Sequence, residues 1–231
     1  MGERRFYSAN EAVSGQVAVD GDEFHHIVHV MRYRAGDEVE IVNGRGGLVH
    51  GRIAAVKSHS LQVAVRSRED FPRPPLRVVI APSLTKGHAM NWLVEKLAEL
   101  GVDEVRPLVC ERTDVAFGAS QLRRWEKIAA QSLKVNRGYW LTRIFAPVTP
   151  AAIVAAAEQM PGKILLDIDA PGKLGRPAAF PVLAVIGPPG DFSAAEKALF
   201  RGNGFQPALV NDGILKTETA ALAIAAILKN D

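Results

Sequence analysis

The chain has 231 residues, 48% hydrophobic and 23% charged, with 20 glycines and 14 prolines, a composition that suits one large or two small globular domains. No apolar run reaches the roughly 18 residues of a membrane span, and Met1-Gly2-Glu3-Arg4-Arg5-Phe6 has no apolar stretch behind it, so no secretory signal is expected. The formal charge of +3 is concentrated in residues 73–145, which hold 12 Lys/Arg against 7 Asp/Glu, a distribution expected of either a polyanion-binding face or a solvated basic one.

Along the chain, a short helix is expected over 22–31. Glu38-Val39-Glu40-Ile41-Val42 alternates polar and apolar side chains, Asn43-Gly44-Arg45-Gly46-Gly47 reads as a hairpin turn, and Leu48-Val49-His50-Gly51-Arg52-Ile53 returns. Leu61-Gln62-Val63-Ala64-Val65 alternates again, which makes 1–72 a small β-barrel. Phe71-Pro72-Arg73-Pro74-Pro75 ends it, because prolines at that density stop both helix and sheet.

From 73 to 231 the rhythm becomes strand, helix, strand, helix. Leu76-Arg77-Val78-Val79-Ile80 predicts a buried strand, and Met90, Leu93, Leu97 and Leu100 repeat at helical spacing up to Gly101. A strand over 105–109 and a helix carrying Leu122, Trp125, Ala129 and Leu133 follow. Thr149-Pro150 is the preferred opening of a helix. Ile164-Leu165-Leu166 and Val182-Leu183-Ala184-Val185-Ile186 are continuous apolar runs of the kind found in parallel sheets. Ser193 and Glu196 have capping-box spacing, and Ala208-Leu209-Val210 leads to a last helix over 217–228.

Chemistry is sought first among histidine and cysteine. His25 and His29 share a helix face, but no carboxylate-rich ligand set accompanies them, so structural or RNA-facing roles are expected, with no metal. The single cysteine, Cys110, lacks an activating base and reads as core; it allows neither an internal disulfide nor a thiolate cluster, as in a reduced, cytoplasmic protein. The P-loop ending Gly-Lys-Ser/Thr is absent, as is Gly-x-Ser-x-Gly. Two loops remain, each joining a buried strand to a capped helix: 186–193 and 210–219. In an open parallel sheet such loops line the ligand site, and their glycines let backbone approach a ligand; sharp βα turns with no ligand are the alternative.

In order, His26-Ile27-Val28-His29-Val30-Met31-Arg32, Thr85-Lys86-Gly87, Lys96-Leu97-Ala98-Glu99-Leu100-Gly101-Val102, Gln131-Ser132, Ile186-Gly187-Pro188-Pro189-Gly190-Asp191-Phe192-Ser193 and Ile214-Leu215-Lys216-Thr217-Glu218-Thr219-Ala220 carry a further signal. Together they resemble the bacterial ribosomal RNA small subunit methyltransferase E family, the 16S rRNA uridine-N3 methyltransferases. The resemblance implies an α/β fold: a PUA-like RNA-binding β-barrel over 1–72 and a SPOUT-type parallel-sheet domain over 73–231. The late chain of that domain is threaded into a trefoil knot, a rare exception to ordinary topology. It also implies S-adenosyl-L-methionine (AdoMet) as cofactor, 16S rRNA of the small ribosomal subunit as partner, a homodimer, and no metal or membrane.

Residue by residue, the resemblance places AdoMet against Leu166, Ile186, Gly187, Pro188, Gly190, Val210, Asn211, Ile214, Leu215 and Thr219. Arg32, Lys86, Lys134 and Lys216 would contact RNA. Lys134 would also stabilise the developing uridine anion, and Glu218 is the candidate base, or else a first-turn carboxylate favoured by the helix dipole. The chain departs from the family pattern at several positions. Pro189 stands for a glutamate, Asp191 for a glycine, Gly213 for an arginine and Asn91 for a glutamate, while Lys134 and Lys216 replace arginines, keeping charge without bidentate geometry. The changes at 189, 191 and 213 leave room for a non-catalytic RNA-binding or ribosome-assembly protein, and the altered basic residues for methylation of another RNA position.

Overall fold

The computed structural model describes residues 5–175 and 177–230. The chain divides into two units, one made of the residues up to Arg73 with Leu133–Leu141, the other of Pro74–Ser132 and the chain from Thr142 onward.

In the first unit, β1 (Arg5–Tyr7), β2 (Gln16–Asp20), β3 (Glu38–Val42), β4 (Gly47–Val56) and β5 (Ser60–Asp70) form a sheet in the order β1-β3-β4-β5-β2. All its pairs are antiparallel except β1 with β3. The hairpin forms where expected: Asn43 Oδ1 accepts from the Arg45 and Gly47 N–H groups at 2.8 Å and fixes the turn. Two strands, β1 and β2, escape the sequence reading, β1 because three residues show no usable period. The helix expected over 22–31 is α1 (Gly21–His25) followed by a wider turn over His26–Val30. There the Met31 N–H donates to the His26 carbonyl, five residues back, at 2.9 Å. The widening seats Ile27 in a core with Phe6, Val19, Phe24, Ile41 and Leu61.

Leu133–Leu141 completes this unit. Phe71 stacks on Tyr139 with ring centroids 3.6 Å apart, and the Phe71 N–H donates to Gly46 O at 2.8 Å, so the segment expected to be a linker begins as a packed residue. Lys134 requires a correction. Its side chain is 1% exposed and its Nζ lies 2.9 and 3.0 Å from the two carboxylate oxygens of Glu23, one of which also accepts the Tyr7 N–H. An ammonium enclosed in that way is engaged inside the unit and presents no charge to a substrate.

The second unit is built from β6 (Val78–Pro82), α2 (His88–Glu99), β7 (Glu104–Val105), α3 (Ala119–Val135) as far as Ser132, β8 (Arg143–Ile144), α4 (Pro150–Ala156), β9 (Gly162–Leu166), β10 (Val182–Ile186), α5 (Ala194–Gly202), β11 (Gln206–Ala208) and α6 (Thr217–Lys229). The strands run parallel in the order β11-β9-β10-β6-β7-β8. β6 and β10 are buried on both faces, which explains their unbroken apolar sequences. One face packs Val79, Leu165 and Val185 against Ile153 of α4 and Phe200 of α5; α2 and α6 meet each other, and α6 lies on β6 and β10. The strand expected over 105–109 shortens to β7, since Pro107 has no N–H to donate, and Leu108 bridges Ser83 and Val148 instead. The capping box forms: Ser193 Oγ accepts from Glu196 N–H at 3.3 Å, and Glu196 Oε2 accepts from Ser193 N–H at 2.9 Å.

Cys110 lies in this core, and burial pushes its thiol up to about 11. The thiol therefore stays neutral well above physiological pH, and the native protein is expected to resist iodoacetamide at pH 8 while the urea-unfolded chain reacts within minutes. Mass spectrometry of the two reactions checks this; equal labelling would place Cys110 outside the core.

Candidate functional site

The strand order makes one place in the second unit different from the rest. From β6 the chain adds β7 and β8 on one side; β10, beside β6, continues to β9 and β11 on the other. Loops leaving the carboxyl ends of such neighbours diverge and open a crevice. A cavity of about 960 Å³ lies there, walled by the loops after β6, β9, β10 and β11 and by residues 112–115.

Each wall has a local cause. After β10, Gly187 has little space for a side chain: a Cβ would stand a tight 3.1 Å from both Asp191 Oδ1 and the Phe192 nitrogen. Gly190 follows at φ +85°, and Asp191 N–H closes the turn on Pro188 O at 2.9 Å. After β11, Leu209 is fixed by hydrogen bonds with Gly172 and Leu174, and the chain runs exposed to the start of α6. Thr217 joins the two glycine-containing loops, its hydroxyl donating to Gly187 O at 2.8 Å. After β6, Ser83 N–H donates to Ile186 O at 2.8 Å and holds the Thr85-Lys86-Gly87 segment against β10.

Of the cofactor residues expected from sequence, Leu166, Ile186, Gly187, Pro188, Gly190, Val210, Asn211, Ile214 and Leu215 line the cavity together. Thr219 does not: it is exposed on α6 and outside the lining, because helical rotation after Thr217 turns it away. Lys86, Lys216 and Glu218 also line the cavity. Lys86 pairs with Asp114 at 2.8 Å on the exposed rim and holds that carboxyl below its ordinary range, a contact that solvent keeps weak. Arg32 and Lys134 belong to the first unit; Arg32 is exposed at φ +60°, whereas Lys134 is buried on Glu23.

Sequence reasoning passed over two hydroxyls. Thr217 ties the loops, and Thr85 Oγ1 lies buried in the cavity wall with no hydrogen-bond partner. A buried hydroxyl left unpaired is costly, and a ligand group can satisfy it. The available signal for Thr85 is its place three residues after a buried strand, beside Lys86. Among the described residues, no group of three His, Cys, Asp or Glu side chains is placed to hold a metal ion, and no helix is long and apolar enough to cross a membrane.

Comparison with known proteins agrees with this architecture. A family described as "RNA methyltransferase domain" matches residues 72–229, and one described as "RNA methyltransferase PUA domain" matches 19–66. Ribosomal RNA small subunit methyltransferase E of Synechocystis sp. is 25% identical, over 98% of this chain and 77% of its own length. The Bacillus subtilis protein of that name is 27% identical over 91% and 88%. A Legionella pneumophila protein described as a methyltransferase and solved with bound SAM superposes with a TM-score of 0.89 at 27% identity, covering 99% of this chain and 98% of that one.

Proposed function

Because the chain belongs to the RNA methyltransferase family, we propose that it is an AdoMet-dependent methyltransferase of small-subunit ribosomal RNA, acting at N3 of a uridine in the 16S molecule. The observation that carries this reading is the cavity at the sheet's switch point, where backbone from two glycine-containing loops meets an apolar wall beside lysines.

When bound, AdoMet supplies a methyl group made electrophilic by its sulfonium. The residues fit such a ligand. Leu166, Ile186, Val210 and Leu215 offer apolar surface to a nucleoside, Gly187 and Gly190 let main chain come close, and Thr85 offers an unsatisfied hydroxyl. Uridine N3 lies on the Watson–Crick edge and carries a proton, so the base must be unpaired and the proton removed or masked. Glu218, which lines the cavity from the first turn of α6, is the candidate to take that proton in this reading. Lys86 and Lys216 set positive charge around the cavity for phosphates or for the uracil oxygens as they gain charge. Arg32 extends the RNA contacts on the first unit. Lys134 has no part in this account.

The same reading assigns RNA binding to 1–72 and catalysis to 73–231, with the late chain knotted and two copies of the chain forming the working enzyme. The test is mass mapping of methylated nucleosides in 16S rRNA from a strain lacking the gene, with and without the gene restored. One 3-methyluridine is expected to vanish and return. An unchanged map overturns the methyltransferase reading, and loss of a different methylated nucleoside overturns the N3 assignment.

A further inference from the structure

The turn between β10 and α5 is held in a backbone shape that side chains resist. Gly190 and Asp191 are successive left-handed residues, at φ +85° and +67°. Only the first is a glycine. Aspartate tolerates that region better than most residues because its short carboxylate can accept from neighbouring backbone; here Asp191 Oδ1 accepts the Phe192 N–H at 2.7 Å.

The other oxygen, Oδ2, lies 2.6 Å from Lys197 Nζ. Lys197 stands near the start of α5 with its side chain 15% exposed, and the same ammonium reaches Asp167 Oδ1 at 2.7 Å and Asp169 Oδ2 at 3.4 Å. Asp167, just past β9, is fully buried, and its second oxygen is held by Arg201 at 2.6 Å. One ammonium thus joins the loops after β9 and β10, both of which wall the cavity. From the other direction Arg112 donates to the carbonyls of Gly190 and Asp191. Burial works against the Lys197 charge, but its carboxylate partners outweigh burial and hold it well above the ordinary lysine range. Burial likewise opposes the Asp167 charge, and pairing with Lys197 and Arg201 overcomes it and holds that carboxyl low. The contact is therefore ionic throughout the neutral range.

We propose that Lys197 is a positioning residue for the methyl-donor pocket: by pairing with Asp191 it fixes the Gly190-Asp191 turn, and through Asp167 it registers that turn against the end of β9. The inference rests on the AdoMet reading above. A glycine at 191 would take the left-handed conformation freely; the aspartate here requires support, and Lys197 provides it.

Lys197→Met is expected to weaken AdoMet binding about tenfold in calorimetry and to speed exchange of the Phe192 amide in the ligand-free protein. Adding Asp191→Gly should return affinity to within about twofold of the parent while the thermal midpoint stays low, because Asp167 still lacks its partner. Undiminished affinity in Lys197→Met overturns the proposal. So does a double variant as weak as the single one, the result expected if Lys197 acted only by stabilising Asp167. Should Lys197→Met fail to fold, Asp191→Ala is expected to bind about tenfold more weakly than Asp191→Gly, and equal affinities overturn the proposal. If the parent itself binds no AdoMet, the functional reading fails separately, and the Phe192 exchange rates still decide whether Lys197 holds the turn.

Discussion

Gly190→Arg is expected to abolish AdoMet binding, a loss of about a hundredfold or more, or ~2.7 kcal/mol, while leaving a folded protein. The position is exposed on the cavity wall, and a Cβ built there meets no atom within 4 Å. A side chain at 190 therefore starts in open space on the cavity wall and its Cβ does not clash with the fold. The folded state bears the penalty of a non-glycine residue at φ +85°, on the order of 1–2 kcal/mol, which a domain of ordinary stability tolerates. The ligand fares worse: the guanidinium occupies volume the nucleoside needs and adds positive charge beside a sulfonium. Gly190→Ala isolates the backbone part and should lose less than about tenfold. Calorimetry for affinity, with circular dichroism and a thermal melt for fold, checks the pair. Full affinity in a folded Gly190→Arg protein would remove this loop from the donor site and with it most of the catalytic account.

Why these loops could be read from sequence, and other parts of the site could not, follows from how local each signal is. The run 182–186 is unbroken apolar because β10 is covered on both faces, and Ser193 with Glu196 marks the start of α5 through contacts three residues apart. The turn at Asn43 is equally local. Signals of this kind survive without a structure, so the strand–loop–helix frame around the cavity was visible in advance. What stayed hidden depends on distant partners. Asp191 looked like a defect in a glycine loop; its support comes from Lys197, a spacing that belongs to no helical or strand period, and from Asp167 across the sheet. Thr217 was read as a helix start, yet its hydroxyl reaches a loop thirty residues earlier. Thr219, a cofactor contact by resemblance, is adjacent in sequence to Glu218, and helix rotation keeps it out of the lining that Glu218 joins.

Lys134 is the sharpest such case, and it leads to the second large effect. Lys134→Met is expected to lower stability by about 3 kcal/mol in urea unfolding, at the lower end of what loss of one partner from a buried ion pair costs. The Lys134 side chain is 1% exposed and that of Glu23 is 12% exposed, so the carboxylate left behind has little access to water and, among the described residues, keeps the Tyr7 N–H. Glu23→Gln alone should be destabilising for the converse reason, leaving an ammonium buried without its counter-charge. Combining the two removes both charges together, and the double variant should be less destabilised than the sum of the singles by at least about 1 kcal/mol. A lysine acting on substrate predicts the opposite pattern: near-parental unfolding for Lys134→Met, additive behaviour with Glu23→Gln, and methyl transfer lost at unchanged stability. The cycle therefore distinguishes a residue that binds the end of α3 into the first unit from one that serves the chemistry. The geometry favours the first, because a charge enclosed by its own counter-ion cannot also stabilise an anion forming elsewhere.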